Sequence, residues 1–304
     1  MTIKPDKHIK SLNMNGLVGR MLHYESRKKD KQEILFIYGQ RSSIERWWGL
    51  IQHLHDYGSV TVPDLPGFGG MDSFYKIGKK PTLDNYADYL ASFIKMKYKR
   101  RKIVIVGVSY GFVVITRMLE KYPELSKNVK MLISYVGFTG YEDFKYSRPV
   151  YYMYLYMTWL LSRRSLAWLF RYTTLHEMSL KRAYASSAHD RVENASHQQV
   201  SSHLVHQIQL WRSNDTRTYM FTTNELLLFS NCSRQVDLSV YNVIIKNDNI
   251  LDYSKVEQHM KVIFNDYVPL TVQINDQAQV FLYDRKSASF LMPPKLKQLL
   301  KTLG

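Results

Sequence analysis

Lys102 to Val114 reads KIVIVGVSYGFVV, and the rest of the chain is organised around it. Ile103 to Val106 are four apolar residues in a row, the pattern of a short buried strand. Gly107-Val108-Ser109-Tyr110-Gly111 then fits G-x-S-x-G, and Phe112 to Lys121 is a helical run closed by Pro123. A strand, a glycine-flanked serine and a helix, in that order, make the context in which this pattern means a nucleophile elbow. A turn that sharp leaves no room for side chains on either flank of the serine, which is why Gly107 and Gly111 stand there. The helix would begin at the serine and aim its free N–H groups at any negative charge developing beside Ser109.

The whole chain bounds what this stretch can belong to. With 304 residues, 45% hydrophobic and 22% charged, it can bury a large core and is not a disordered polymer. A single cysteine, Cys232, excludes an internal disulfide and suits a reducing, cytoplasmic setting. The first 16 residues lack the apolar centre of a secretory leader, and no run reaches the length of a membrane-spanning helix. The net charge of +16 is spread over every segment without a long basic block, so charge by itself selects no partner. No zinc-type Cys/His spacing, Walker loop, RNP-type motif or internal repeat occurs, so neither a metal, a cofactor nor a nucleic-acid partner is expected.

Outward from the elbow, strands and helices alternate. Residues 1–15 read as a polar lead-in. Strands are expected over Leu17–Tyr24 and Glu33–Tyr38, joined by a charged turn, then a helix over Ile44–Tyr57 and a strand over Ser59–Val62. A helix over Thr82–Tyr98 leads into the elbow, and a strand over Lys130–Val136 follows it. After Gly140 the alternation stops, and residues 141–235 read as several helices. It resumes with a strand over Val240–Ile245, a helix over Tyr253–Phe264, a strand over Pro269–Ile274 and a last helix over Pro294–Leu303. This pattern predicts an α/β fold with a mainly parallel central sheet flanked by helices. The expected division is a core in two parts, 1–140 and 236–304, carrying a helical cap at 141–235.

With those pieces in order, the chain resembles an α/β-hydrolase with a helical cap. Leu35-Phe36-Ile37-Tyr38-Gly39-Gln40 is similar to the strand and His-Gly loop that build half of the oxyanion hole, with Tyr38 in place of the usual His. The resemblance implies that Gln40 and Tyr110 supply the two oxyanion N–H groups. Asp64-Leu65-Pro66-Gly67-Phe68-Gly69 closely matches the family's D-x-P-G-x-G loop. Ser109 would be the nucleophile. Val243-Ile244-Ile245-Lys246-Asn247-Asp248 resembles the late strand that ends in the triad acid, which makes Asp248 the acid and Asp252 a weaker candidate. The order Ser then Asp agrees with this fold.

The departure is the histidine. In the matching stretch, Ile274 to Leu282, Gln279 occupies its position, and no histidine lies beyond His259, itself inside a predicted helix. A Gln amide can orient a hydroxyl but cannot accept a proton near neutral pH, and the triad needs an imidazole to take the Oγ proton. The cap histidines His203 and His206, three apart on an expected helix, are the other candidates for a base, with His53, His55, His176, His189 and His197 more readily read as solvated or structural.

The cap opens with VYYMYLYMTWLL, Val150 to Leu161, apolar and aromatic on all sides. Tyr151, Tyr152, Tyr154, Tyr156, Trp159, Trp168 and Trp211 would form the wall of a pocket for an acyl or apolar group, or helix-on-helix core. Joined to Arg163, Arg164, Arg171, Lys181 and Arg182, the same run could rest on an anionic membrane surface. Two functions fit the whole: a serine hydrolase acting on an ester or similar acyl substrate, slowed by the missing histidine, or a catalytically impaired protein of the same fold that binds a small apolar ligand or a partner. A cofactor-free reaction that does not need the full triad is a third.

Overall fold

A computed structural model describes residues 5–26, 32–176, 178–179, 182, 205, 207–232, 234–246, 248–273 and 284–303. Eight strands form one sheet: β1 (Ile9–Met14), β2 (Leu17–Tyr24), β3 (Gln32–Ile37), β4 (Gly58–Pro63), β5 (Ile103–Val108), β6 (Val129–Tyr135), β7 (Val236–Ile245) and β8 (Phe264–Val272). Their order across the sheet is β1-β2-β4-β3-β5-β6-β7-β8, antiparallel among β1, β2 and β4 and parallel from β4 to β8. All six residues of β5 are buried, as are all six of β4, which is what a parallel strand covered on both faces requires.

Helices fill the crossovers: α1 (Trp48–Leu54), α2 (Leu83–Tyr98) and α3 (Tyr110–Lys121) before β6, then α7 (Tyr253–Ile263) between β7 and β8, and α8 (Pro294–Thr302) at the end. Thr82 Oγ1 caps α2 by accepting from Asn85 N at 3.3 Å. Between β6 and β7 lie α4 (Arg148–Leu161), α5 (Arg164–Thr173), a helical stretch at 207–213, and α6 (Thr216–Leu226). The two roots of this insertion meet in an antiparallel bridge between Gly140 and Ser230. Among the described residues no helix is long and apolar enough to cross a membrane.

Two sequence readings change. Residues 9–14, read as part of a polar lead-in, are β1, turned onto β2 by Asn15 and Gly16, both with positive φ (54° and 81°). Asn-Gly is the dipeptide that a tight two-residue hairpin demands. The strands β2 and β3 are also not a hairpin, because β4 lies between them and pairs with both.

The topology also fixes where a ligand can go. From β3 the chain crosses to β4 on one side, and from β5 it crosses to β6 on the other. The carboxyl ends of β3 and β5 are therefore the switch point of the sheet, where a crevice opens.

Candidate active site

At that switch point β5 ends in Ser109. Its backbone sits at φ 50° and ψ −120°, a region that costs a non-glycine residue on the order of 1–3 kcal/mol. The bond from Ser109 N to the Tyr135 carbonyl at 3.0 Å and those from Phe112 N and Val113 N to the Ser109 carbonyl, at 2.9 and 3.3 Å, hold the turn. The flanking glycines are required by space. A Cβ on Gly107 would lie 2.7 Å from Phe112 Cα, and one on Gly111 would lie 2.3 Å from the Ile37 carbonyl oxygen and 2.6 Å from that of Tyr38. The elbow is thus pressed onto the end of β3.

The loop after β3 completes this half of the site. A Cβ on Gly39 would touch Ser109 Cβ at 3.3 Å and Tyr110 N at 3.6 Å, so the Gly39–Gln40 loop lies directly against the elbow. Tyr110 is the first residue of α3, where backbone N–H groups have no intrahelical acceptor. The Gln40 side chain is tied to the insertion, its Nε2 donating to Thr222 Oγ1 at 2.7 Å and its Oε1 accepting from Thr223 Oγ1 at 3.4 Å.

Asp248 lies three residues beyond β7, at the same carboxyl edge of the sheet. The register runs Val108 to Tyr135 to Val243 across β5, β6 and β7, and Ile245 pairs with Val272 at the end of β8. The Asp248 carboxylate is engaged within its own loop. It accepts from Ile250 N at 2.7 Å, Leu251 N at 3.2 Å and the Tyr253 hydroxyl at 3.0 Å. Asp252 caps α7, accepting from Ser254 N at 3.1 Å, a structural task. Gln279, which follows β8, lies outside the described residues.

A family model for the alpha/beta hydrolase fold matches residues 33–156, from β3 through the elbow into α4. This chain has the α/β-hydrolase fold. Coelenterazine h 2-monooxygenase of Renilla reniformis is 28% identical over 98 residues, 32% of this chain and 31% of the relative. Methylesterase 1 of Arabidopsis thaliana is 29% identical over 100 residues, 33% of this chain and 38% of the relative. The chain therefore matches only about a third of either relative's length. Among solved structures, a Pseudomonas aeruginosa protein provisionally assigned as an epoxide hydrolase aligns with TM-score 0.68 at 14% identity, over 97% of this chain and 94% of that one. At that identity the likeness is one of fold.

Within the hydrolase fold, each described histidine has a partner other than Ser109. His23 Nδ1 is 3.0 Å from Thr61 Oγ1, His53 Nε2 is 2.7 Å from the Arg285 carbonyl and His55 Nε2 is 3.1 Å from that of Glu25. His8 packs on Tyr24, and His176 Nδ1 accepts from Met178 N at 3.3 Å. His259 Nδ1 is 2.6 Å from Asp143 Oδ1. His189, His197, His203 and His206 lie outside the described residues.

Sequence reasoning missed two polar clusters. Asp143, fully buried at the root of the insertion, accepts from Thr139 N at 2.6 Å, Thr139 Oγ1 at 2.9 Å and Gly140 N at 3.3 Å as well as facing His259. It ties that root to α7. The signal was present in Thr139-Gly140-Tyr141-Glu142-Asp143, an acid placed to cap a turn. The second cluster explains Tyr38. Its hydroxyl donates to Asp64 Oδ1 at 2.5 Å, while Arg20 Nε donates to Asp64 Oδ2 at 2.8 Å and Arg20 Nη1 to Glu45 at 2.8 Å. Burial pushes the Asp64 carboxyl up to about 7, against the pull of Arg20 and Tyr38. Tyr38 is therefore a strut under the D-x-P-G-x-G loop.

Among the described residues, most of the aromatic run is exposed. Tyr152, Tyr154, Tyr156, Trp159 and Trp168 are exposed, and Tyr151 and Trp211 are half-buried. Two surface cavities of about 400 and 450 Å³ lie beside α5 and beside Gly69 and Gly70, and Ser109 lines neither. The helix α4 forms within the stretch read as helical, and Thr158 is its one buried residue, although a helix apolar all round is ordinarily covered. Among the described residues no group of three or more His, Cys, Asp or Glu side chains could hold a metal ion.

Proposed function

We propose that this protein is a slow serine hydrolase acting on an ester or similar acyl substrate, with Ser109 as nucleophile, the Gln40 and Tyr110 N–H groups as oxyanion donors and Asp248 as the acid. The observation that carries this reading is the backbone of Ser109 at φ 50°. A chain with no use for the hydroxyl would place glycine there at no conformational cost. Methylesterase 1, one of the partial relatives, has a name of the same reaction class.

In this reading Ser109 Oγ bonds to the substrate carbonyl carbon, and the carbonyl oxygen takes the negative charge at the two N–H groups. The bond to the alkoxide leaving group breaks with a proton from solvent, and water then cleaves the acyl-serine to release the acid. Gln279 cannot accept the Oγ proton, which passes to solvent, so acylation lacks its general base. The residual rate comes from the oxyanion hole and binding, which together leave about 10³–10⁴-fold catalysis over water when a triad member is removed. With a single cysteine in 304 residues, a reducing compartment, the cytoplasm, is the one we assign.

A second reading is a binding protein of the same fold, for a small apolar ligand or a protein partner. It draws on the engagement of Asp248 within its own loop and on the partners, other than Ser109, of the described histidines. A fluorophosphonate probe separates the two, applied to the purified wild type and to Ser109→Ala beside a short series of p-nitrophenyl esters. Labelling and ester turnover in the wild type, both lost in Ser109→Ala, are the expected result. A wild type that neither labels nor turns over would leave only the binding reading.

A further inference from the structure

Residues 145–176 contain Lys145, Arg148, Arg163, Arg164 and Arg171 and no Asp or Glu. Helices α4 and α5 occupy most of that span. On α4, Tyr151, Leu155 and Thr158 fall at i, i+4 and i+7 and face α6. The Tyr151 hydroxyl donates to the Leu227 carbonyl at 2.6 Å, and Asn224 Nδ2 donates to the Leu155 carbonyl at 2.8 Å and to Thr158 Oγ1 at 3.1 Å. Thr158 is the one residue of α4 that is fully buried.

The neighbouring stripe, Tyr152, Tyr156 and Trp159, lies one residue on, about 100° round the helix, has the same spacing and is 64%, 60% and 46% exposed. Met153 and Met157 flank it, and Trp168, Leu169 and Tyr172 are likewise exposed on α5. Large apolar side chains gathered on two packed helices and left in water mark an interaction surface. Its chemistry narrows the partner. Tyrosine and tryptophan have apolar rings with a polar edge, the side chains that suit a lipid–water boundary. The Arg163 guanidinium lies 4.6 Å over the Trp159 ring, so a cation sits within the face as well as at its margin. Arg148 and Arg164 are also exposed, whereas Arg171 is tied to the Asn214 and Arg212 carbonyls.

We propose that the outer face of α4 and α5 docks on an anionic phospholipid bilayer, lying in its surface without crossing it. Charge complementarity selects this occupant. A second copy of the chain would bring two acid-free basic faces together, which like-charge repulsion opposes. An anionic lipid surface attracts the arginines and accepts the aromatic rings into the boundary between headgroups and acyl chains. The proposal stands independently of the chemistry at Ser109.

Sedimentation with vesicles of mixed phosphatidylcholine and phosphatidylserine, against vesicles of phosphatidylcholine alone, tests it. The full chain is expected to bind the mixed vesicles, with a blue shift of tryptophan fluorescence. Binding should fall at least tenfold when salt is raised from about 0.1 M to about 1 M, where the Debye length shrinks from about 10 Å to about 3 Å. Arg163→Glu combined with Arg164→Glu should weaken it at least tenfold, and Tyr156→Ser combined with Trp159→Ser should abolish it. These positions are exposed, so both variants should keep the wild-type melting temperature. No binding to mixed vesicles, or undiminished binding by both variants, would overturn the proposal. So would a concentration-dependent dimer in solution that the Tyr156→Ser and Trp159→Ser pair dissociates, since the face would then belong to a second copy.

Discussion

The two halves of the candidate site are built on different principles. The nucleophile half is made of backbone: Ser109 is forced into its turn by Gly111 lying against the β3 carbonyls, and Gly39 and Tyr110 N are in contact with it. It is anchored in β5, every residue of which is buried, and in the buried end of β3. The proposed proton-moving half would be supplied by side chains that follow β7 and β8 in the chain. Asp248 there is spent on three local hydrogen bonds, and Gln279 is the residue aligned with the base. A charge-receiving turn is integral to the sheet's packing and is costly to lose. A base on a loop can be lost by one substitution without disturbing the fold.

The sharpest way to break this contrast is Ser109→Ala, which should reduce fluorophosphonate labelling and ester turnover to background while the melting temperature holds or rises as backbone strain changes. Next is Gln279→His. A positioned general base contributes about 10²–10⁴-fold, and kcat for p-nitrophenyl esters should rise within that range. The same variant should gain a rate plateau above a pKa near the usual histidine value of about 6.5, where the wild type keeps climbing with pH. An unchanged rate would mean that Gln279 is not at the base position. Asp248→Asn sharpens the comparison through its context. It should change wild-type turnover by no more than about threefold, yet remove most of the gain in the Gln279→His background, because an acid orients a base only when the base exists.

Stability gives the smaller effects. Gly111→Ala drives a methyl group into the Ile37 carbonyl, and should cost about 3 kcal/mol in denaturant unfolding, more than any single change in the loop after β7. Glu225 of α6 accepts from Leu83 N at 2.9 Å, and burial pushes its carboxyl up to about 7. A folded-state value above the unfolded one means that the folded protein holds the proton more tightly. The contribution is complete below the ordinary glutamate value and is lost as pH rises through about 7. Glu225→Gln should therefore flatten part of the fall in stability between pH 5 and 8, on the order of 1 kcal/mol given the partial exposure of the group. A wild type and variant with parallel stability profiles would count against it.

Much of this was legible because the signals are local and physically obligatory. The apolar run Ile103–Val106 is buried on both faces, and the glycines at 107 and 111 had to be small, so the strand, turn and helix followed directly. β1 was missed because Ile9, Leu12 and Met14 alternate weakly among lysine, serine and asparagine, although Asn15-Gly16 announced its turn. The fate of the aromatic helix was open because periodicity tells which residues share a face, not how many neighbours will cover it. Tyr38 could be seen as a departure from His-Gly, but its bond to Asp64 joins residues 26 apart and depends on the sheet bringing them together.

The bridge between Gly140 and Ser230 has one more implication. Tyr141 N reaches the Phe229 carbonyl at 3.0 Å and Asn231 N the Thr139 carbonyl at 2.8 Å, so the chain leaves and returns through a gap no wider than a hairpin. The clasp lets β6 and β7 pair side by side although the segment between them is long. Thr222 and Glu225 fasten that segment to Gln40 and Leu83 at further points, so it is pinned at its roots and along α6.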